Sequence, residues 1–275
     1  MATSKGQLKA ETPEAMDEAL PESIVAGARG HWLAAAGLFV VLVGLWEAAC
    51  RLLGIAPHLL PAPSAIGVEL YDNFRVLLHH TWVTTIEVVV GFIIAAIIGV
   101  ALAMLVDRSA WLRAIIHPYV IVLQATPKVA LAPFLIIWFG FGITSKIAMA
   151  ALITFFPIFV NTVAGFVAIG PRLLDLMTVL RASPRQVLWK VKIPFALPYV
   201  FAGLEIGILL SLIGAIVGEF VSATAGLGYL IANYNFQLKT ASAFAALVML
   251  VLLGVVSYGV ILALKRRIVF WLGKV

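Results

Sequence analysis

The residues of this chain that could do acid, base or metal chemistry do not stand in a catalytic arrangement. His58, His79, His80 and His117 lack the spacing of a metal site on one helix face, and we expect solvent-facing loop histidines. No Gly-x-x-x-x-Gly-Lys-Ser/Thr run is available to cradle a phosphate, and no serine–histidine–aspartate set or carboxylate pair can be argued. The sequence therefore predicts a protein that is not an enzyme, does not hydrolyse ATP itself and has no metal or cofactor.

Four ionisable residues lie inside long apolar stretches, where a charge is costly and indicates a functional lining or a helix–helix contact. Glu87 begins its stretch, so snorkelling to the membrane interface explains it most simply. Lys128 lies between two prolines, where an interrupted helix could free carbonyls around a cavity, and it is a candidate for lining a pathway or for snorkelling. Glu205 is a candidate for the pathway, the interface or helix pairing, and Glu219 for a gate or for packing between subunits.

The elements that must position these residues are membrane helices. The chain is 63% hydrophobic and 12% charged, against about 25% charged in a typical soluble domain. Only helices or closed barrels span a bilayer, and the apolar runs do not alternate as barrel strands would, so we predict an all-α polytopic membrane protein. The six predicted spans are residues 32–50, 83–106, 118–140, 147–169, 199–222 and 243–264.

Charge placement predicts the orientation of these spans. Residues 1–31 are polar and rich in carboxylates, which is typical of a disordered tail, and residues 32–275 form the predicted transmembrane domain. With the N-terminus inside, 14 Lys and Arg fall in cytoplasmic segments and 4 in outer loops, Lys146 among the latter. Both termini are therefore expected in the cytoplasm. The lone Cys50 excludes an internal disulfide.

Small residues recur at intervals of three and four along the fifth span, where they would let a neighbouring helix approach closely. The pattern predicts that this span forms the centre of the domain, at a seam between two copies of the chain. The residues of the stripe are Gly203, Gly207, Ser211, Gly214 and Gly218.

The loop between the fourth and fifth spans is a basic, amphipathic segment with a helical pattern, residues 171–198. Its apolar residues recur at spacings of three, four and seven, which places them on one helix face: Leu173, Leu176, Met177 and Leu180. Such a face favours docking on a soluble partner, and an amphipathic helix lying on the bilayer is the alternative.

A second short helix is predicted to begin within the same loop. Ser183 suits the N-cap, Pro184 the first helical position and Gln186 the third position of a capping box.

This loop resembles the cytoplasmic "EAA" loop of ABC importer permeases, whose pattern is Glu-Ala-Ala, three residues, Gly, nine residues and Ile-x-Leu-Pro. Asp175-Leu-Met177 stands for Glu-Ala-Ala and Arg181 for Gly, while Val191-Lys-Ile-Pro194 matches the end at the expected spacing. Over residues 57–270 the chain is similar to the nitrate, sulfonate and taurine branch of these permeases. Further matching stretches are Leu60-Pro-Ala-Pro-Ser64, Thr126–Pro133, Trp138-Phe-Gly-Phe-Gly142, Gly218-Glu-Phe-Val-Ser222 and Gly226-Leu-Gly-Tyr229.

The resemblance implies a type I importer fold in a bacterial inner membrane, with no nucleic acid as partner. Its implied partners are a cytosolic ABC ATPase dimer, an extracytoplasmic substrate-binding protein, a second copy of the chain and the lipid bilayer. The residues that would couple the loop to the ATPase are Leu173, Leu174, Asp175, Leu176, Met177, Leu180, Arg181, Ala182, Ser183 and Pro194.

The resemblance further implies transport of a small anion such as nitrate, a sulfonate, taurine or bicarbonate. A permease for a pyrimidine-like or riboflavin-like vitamin precursor is the alternative, followed by an ATP-independent channel or carrier. The loop departs from the pattern at Asp175-Leu-Met177 and Arg181, which favours a dedicated ATPase partner. Without the glycine, the Ser183-Pro184 start is expected to supply the break between the two helices.

Overall fold

Long apolar runs form the helices of this protein, because a backbone in lipid must bond to itself. The computed structural model describes residues 28–222 and 224–272, and every regular element in those ranges is helical. Residues 1–27 of the predicted tail lie outside the described residues. The chain divides into two units, one ending at Gly54 and the other beginning at Ile55. The first unit contains α1 (Ala28–Leu52).

The second unit holds the remaining helices, with the loop helices between the fourth and fifth spans. They are α2 (Pro63–Asp72), α3 (Phe74–Asp107), α4 (Ala110–Ala125), a 3-10 turn (Lys128–Leu131), α5 (Ala132–Phe139), α6 (Ile143–Val167), α7 (Pro171–Val179), α8 (Pro184–Val187), a π turn (Leu188–Lys192), α9 (Ile193–Ser222), α10 (Leu227–Phe236), α11 (Thr240–Ile268) and a 3-10 turn (Phe270–Leu272).

Five of the six predicted spans are continuous helices. Those long and apolar enough to cross a membrane are Ala34–Leu52, Phe74–Asp107, Ile143–Val167, Pro184–Ser222 and Thr240–Ile268. The continuous span predicted at 118–140 is instead a bent pair, in which Ala114–Ala125 and Lys128–Phe139 meet at 87°. Thr126 takes an extended conformation (φ −69°, ψ 131°), because Pro127 disfavours the helical region for the residue before it.

The centre of the second unit is the meeting of α3, α6 and α9. Gly91 of α3 and Gly214 of α9 approach Ala150 of α6 from two sides, and a Cβ at either would lie within 2.7 Å of it. Around this point lies a buried apolar cluster that includes Val88, Ile158 and residues of α9. Small residues therefore bring three membrane helices to backbone contact.

The stripe of small residues in the fifth span lies within this central packing. Gly203 and Gly207 face Ile158, Gly214 faces Ala150 and Gly218 faces Lys146, all on α6. The predicted close approach and the central place of this span are confirmed. The small-residue face is occupied by α6 of the same chain, and the place of this span at a seam with a second copy stays a prediction.

Candidate functional site

The loop helix α7 has two apolar faces rather than the single one predicted. Leu173 and Leu174 are half-buried against a cluster that contains Phe166 and Ile169. Leu176 and Leu180 are exposed, at 50% and 63%, and belong to the outward face. Leu173 therefore anchors the helix to the membrane body and is not part of the outward face.

Sequence reasoning missed Val179, which completes the outward face. Val179 is 79% exposed. Leu176, Val179 and Leu180 follow the i, i+3, i+4 spacing that puts three side chains side by side on a helix. The sequence did contain a signal for Val179, because this residue lies three positions after Leu176 and so on the same helix face.

The α7 helix ends in a left-handed turn at Arg181. The residue has φ 52°, and it is one of two non-glycine residues with positive φ in the described part of the chain. The Arg181 N–H donates to the carbonyl of Thr178, and the Ala182 N–H to that of Met177 (3.0 Å each). These two bonds form a Schellman motif, which usually carries glycine at the left-handed position. Arg181 therefore forms the break between the two loop helices itself. This differs from the expectation that the Ser183-Pro184 start would supply the break in place of a glycine.

The predicted start of α8 is confirmed. The Ser183 hydroxyl accepts from the Gln186 N–H (3.3 Å), and the Gln186 side chain accepts from the Ser183 N–H (2.8 Å), which makes a reciprocal capping box. Pro184 occupies the first turn. The left-handed turn and the capping box together fix the angle between α7 and α8.

The far end of the loop is tied to the membrane body. After α8 the backbone makes one π turn, a form that often marks functional positions. There the Lys192 ammonium pairs with the Asp107 carboxylate at 2.6 Å, which joins the loop to the end of α3. Pro194 follows as the second residue of α9 and is half-buried.

A second candidate site surrounds Glu219, at the opposite end of α9 from the loop. Glu219 is 2% exposed. It accepts a hydrogen bond from the Thr84 hydroxyl (2.7 Å) and another from the backbone N–H of Gly228. Glu219 therefore links α3, α9 and α10. Its predicted role in a gate stays a prediction.

Three consecutive N–H groups at the start of α10 are capped by side chains from other helices. The Gly226 N–H donates to Nδ1 of His80 (2.9 Å), the Leu227 N–H to Oγ1 of Thr84 (2.8 Å), and the Gly228 N–H to Glu219. These groups have no partner within the helix, so the neighbouring side chains satisfy them. The start of α10 is thereby fixed to α3 and α9.

The histidines of α3 differ from the predicted loop histidines. His79 is exposed, but His80 is half-buried and stacks on Tyr229, with ring centroids 5.9 Å apart. Because its Nδ1 accepts a hydrogen bond, His80 is neutral with its proton on Nε2. Within the described residues no three histidine, cysteine or acidic side chains are grouped to hold a metal.

The prediction that Glu87 snorkels to the membrane interface is wrong, because Glu87 is completely buried. Its carboxylate lies 3.5 Å from the ammonium of Lys146, which is itself only 5% exposed. Lys146 lies in the first turn of α6 and not in an outer loop. The two residues form a buried ion pair between α3 and α6, beside Glu219.

Lys128 lies at the break between α4 and α5. Its ammonium donates to the carbonyl of Gln124 (3.0 Å), one of the carbonyls that the end of α4 leaves free, and lies 4.8 Å from the centre of the Phe156 ring. The predicted interruption of the helix is therefore present. The place of Lys128 in a pathway stays a prediction.

Glu205 pairs with Lys265 at 2.9 Å and so joins α9 to α11. Both side chains are partly exposed, 17% for the glutamate and 35% for the lysine. Of the alternatives for this residue, helix pairing is the one with a contact to support it.

A polar cavity of about 590 Å³ opens between α2, α10 and α11. Glu69 accepts hydrogen bonds there from Asn73 (2.8 Å) and Ser242 (2.7 Å). Burial raises the pKa of the lining residue Tyr234, and the charge of Glu69 raises it further, so the phenol stays protonated as a donor. The cavity and Glu219 both adjoin α10, the cavity through Tyr234 and Glu219 through Gly228.

Comparison with known proteins finds one family model along most of this architecture. The family is described as the inner membrane component of binding-protein-dependent transport systems, and its model matches residues 88–270. The riboflavin transport system permease protein RibX of Chloroflexus aurantiacus is 37% identical, with 84% of this chain and 87% of the relative covered. The bicarbonate transport system permease protein CmpB of Synechococcus elongatus is 32% identical, with coverages of 72% and 69%.

Among solved structures, an inward-facing conformation of the MetNI methionine ABC transporter contains a chain of the same fold. The two match with a TM-score of 0.64 at 20% identity, over 72% of this chain and 98% of that one. At this identity the match concerns the fold alone.

Proposed function

The chain belongs to the family of binding-protein-dependent transport system inner membrane components, and on that premise we propose that it forms the translocation pathway for a small anionic solute. It is a multi-pass permease subunit of an ABC importer, and it is not catalytic, because ATP hydrolysis in such systems belongs to a separate subunit.

The observation that carries the proposed mechanism is the outward apolar face of α7. Leu176, Val179 and Leu180 are exposed on α7, whose other face is anchored to the membrane body and whose C-terminal end is fixed by a Schellman motif. The next helix, α8, begins with a capping box. A rigid, exposed apolar face outside the membrane core suits a docking site. Since the sequence has no phosphate-binding loop, we infer that ATP-driven motion enters here from the ATPase.

Two copies of the chain, two ATPases and an extracytoplasmic binding protein would make the complete importer. The family description supports the binding protein, and the resemblance of the loop to importer permeases supports the ATPase pair and the second copy. The excess of basic residues on the loop side supports cytoplasmic termini. ATPase closure would move α7 and α8 and so switch the access of the pathway from one side to the other.

An anionic solute is favoured by the bicarbonate-transporting relative and by Lys128, a half-buried cation at the break between α4 and α5. The riboflavin-transporting relative favours the alternative, a vitamin precursor. The two solute classes make different demands on Lys128, because only an anion gains from its charge.

Uptake into reconstituted vesicles tests the proposal. The chain is incorporated with its partner ATPase and binding protein, and uptake of labelled bicarbonate, an aliphatic sulfonate and riboflavin is measured with and without ATP. We expect ATP-dependent uptake of one of the two anions, reduced by Lys128→Met and retained by Lys128→Arg. Uptake that persists without ATPase and ATP would identify a channel or carrier, and selective riboflavin uptake would replace the anionic substrate class.

A further inference from the structure

The exposed surface of the coupling loop, here residues 171–192, is cationic as well as apolar. Its outward apolar face, formed by Leu176, Val179 and Leu180, is accompanied by four exposed cations and a single exposed carboxylate. The cations are Arg172, Arg181, Arg185 and Lys190, and the carboxylate is Asp175.

The four cations have no ion-pair partner among the described residues, while the cation at the base of the loop does. Lys192 pairs with Asp107 at 2.6 Å. An exposed ion pair within the chain contributes little, so the absence of pairing costs the free protein little. The unpaired charges are instead available to another molecule.

We propose that the coupling loop selects an ATPase whose docking groove is apolar at its floor and lined with carboxylates at its rim. This inference rests on the proposed function, since it specifies the partner of the same loop. Leu176, Val179 and Leu180 enter the groove, and Arg181 and Arg185 meet the acidic rim. Arg181 is central because its left-handed turn places it between the end of α7 and the start of α8.

An anionic bilayer surface is the competing occupant of these cations. A helix that lies on a bilayer buries one apolar face in lipid. Here the face containing Leu173 and Leu174 is used against the chain's own core, and a separate apolar face remains exposed. The fixed angle between α7 and α8 adds a rigid shape that a fluid surface does not require. The geometry therefore favours a protein groove.

Binding of the purified ATPase to the permease in neutral-lipid nanodiscs tests this inference. The test variant is Arg181→Gln with Arg185→Gln. One control, Arg181→Lys with Arg185→Lys, keeps the charge, and the other, Arg266→Gln with Arg267→Gln, removes two exposed arginines from the end of α11.

We expect the glutamine pair to weaken association about tenfold at about 0.05 M salt, mainly through a slower on-rate, and to differ little from wild type at about 0.5 M salt. Both controls should stay within about twofold of wild type, since rim charges act through their sign and position. Equal, salt-independent binding by wild type and the glutamine pair would overturn the acidic rim and leave the docking itself intact. If wild type and the glutamine pair bind the ATPase equally in neutral nanodiscs and differ only in anionic ones, the cations bind lipid. That result would also overturn the acidic rim.

A cross-linking measurement covers the case in which the glutamine pair fails to fold. A carbodiimide joins amines to carboxylates at bonding distance, so Arg181→Lys should become linked to an aspartate or glutamate of the bound ATPase. A cross-link at residue 181 supports the acidic rim, and its absence while the complex is intact contradicts it. If wild type forms no complex with the ATPase at all, the proposed function itself fails, which separates the two outcomes.

Discussion

Thr84 and Glu219 lie on different membrane helices, and the threonine hydroxyl donates a hydrogen bond of 2.7 Å to the glutamate Oε1. Both side chains are almost completely buried. The same hydroxyl accepts from the Leu227 N–H (2.8 Å), so one oxygen links α3, α9 and the start of α10. Removal of this oxygen should therefore affect three elements at once.

Thr84→Val should lower the free energy of unfolding by about 2–4 kcal/mol, because it leaves a buried carboxylate oxygen and a buried N–H without partners. Unfolding in mixed detergent micelles, followed by tryptophan fluorescence, measures the change. Thr85→Val is the matched control, since that hydroxyl bonds only to the Thr81 carbonyl of its own helix. Equal effects at 84 and 85 would contradict a role for the link to Glu219.

Gly226→Ala should prevent normal accumulation of the folded protein. Gly226 has φ 115°, and a Cβ there would lie 2.1 Å from the Glu219 carboxylate. Gly140→Ala separates the two causes, because Gly140 has φ 79° but nothing within 4 Å of an added Cβ. The control should lose only about 1–3 kcal/mol, the cost of the backbone conformation alone. Folded yield after detergent extraction, by size-exclusion chromatography, is the measurement.

Lys146→Met should lower the free energy of unfolding by about 3–5 kcal/mol, because it leaves the Glu87 carboxylate buried without its cation. Addition of Glu87→Gln should recover a large part of that loss. The coupling between the two substitutions, from a double-mutant cycle, measures the pair. Additive losses would mean that the contact contributes nothing of its own.

Glu205→Gln should change the free energy of unfolding by less than about 1 kcal/mol, because the ion pair with Lys265 is partly exposed and water screens it. The same micelle titration gives the value, and Glu87→Gln in the wild-type background serves as the buried comparison. A loss as large as that from Lys146→Met would indicate that Glu205 does more than pair two helices.

Arg181→Gly should stabilise the folded protein by about 0.5–1 kcal/mol, because glycine adopts positive φ without the strain of a side chain. Leu238→Gly should do the same, since Leu238 (φ 58°) ends α10 with the same pair of hydrogen bonds. Arg185→Gly, inside α8, should instead destabilise by about 1 kcal/mol. If the Ser183-Pro184 start alone set the break, Arg181→Gly would bring no gain.

The same glycine variant tests the dedicated partner inferred from the departures of the loop. If Arg181 serves a matched ATPase, Arg181→Gly should bind that ATPase more weakly although the loop is more stable. Tighter binding in a pull-down would contradict the dedicated partner.

Local features of this fold could be predicted from the sequence because their causes are local. The capping box at Ser183 depends on residues three apart, and the spans depend on apolar runs as long as the bilayer is thick. The break at Thr126 follows from the proline after it, although the 87° angle does not, because neighbouring helices set that angle.

The buried charges could not be predicted, because their partners are distant in the chain. The sequence predicts Lys146 to be a loop cation, whereas in the fold α3 places Glu87 3.5 Å from it. Two of the three caps of α10 come from residues about 140 positions earlier, so the Gly226 segment alone gives no sign of them. Likewise, the fifth-span stripe predicts a close neighbour but not its identity, since small residues accommodate α6 as readily as a second copy.

The helical run Pro184–Ser222, which comprises α8, the π turn and α9, has a mechanical consequence. Its 39 residues measure about 58 Å, roughly twice the thickness of the hydrocarbon core. Pro194 and Pro198 remove N–H groups near the loop end, so bending is easiest there and the remainder moves as one stiff shaft. A tilt of about 5° about Pro198 displaces Glu219 by about 3 Å, which is more than its hydrogen bonds to Thr84 and Gly228 can stretch. A small rotation at the loop end of this helical run would therefore displace Glu219 far enough to break its hydrogen bonds.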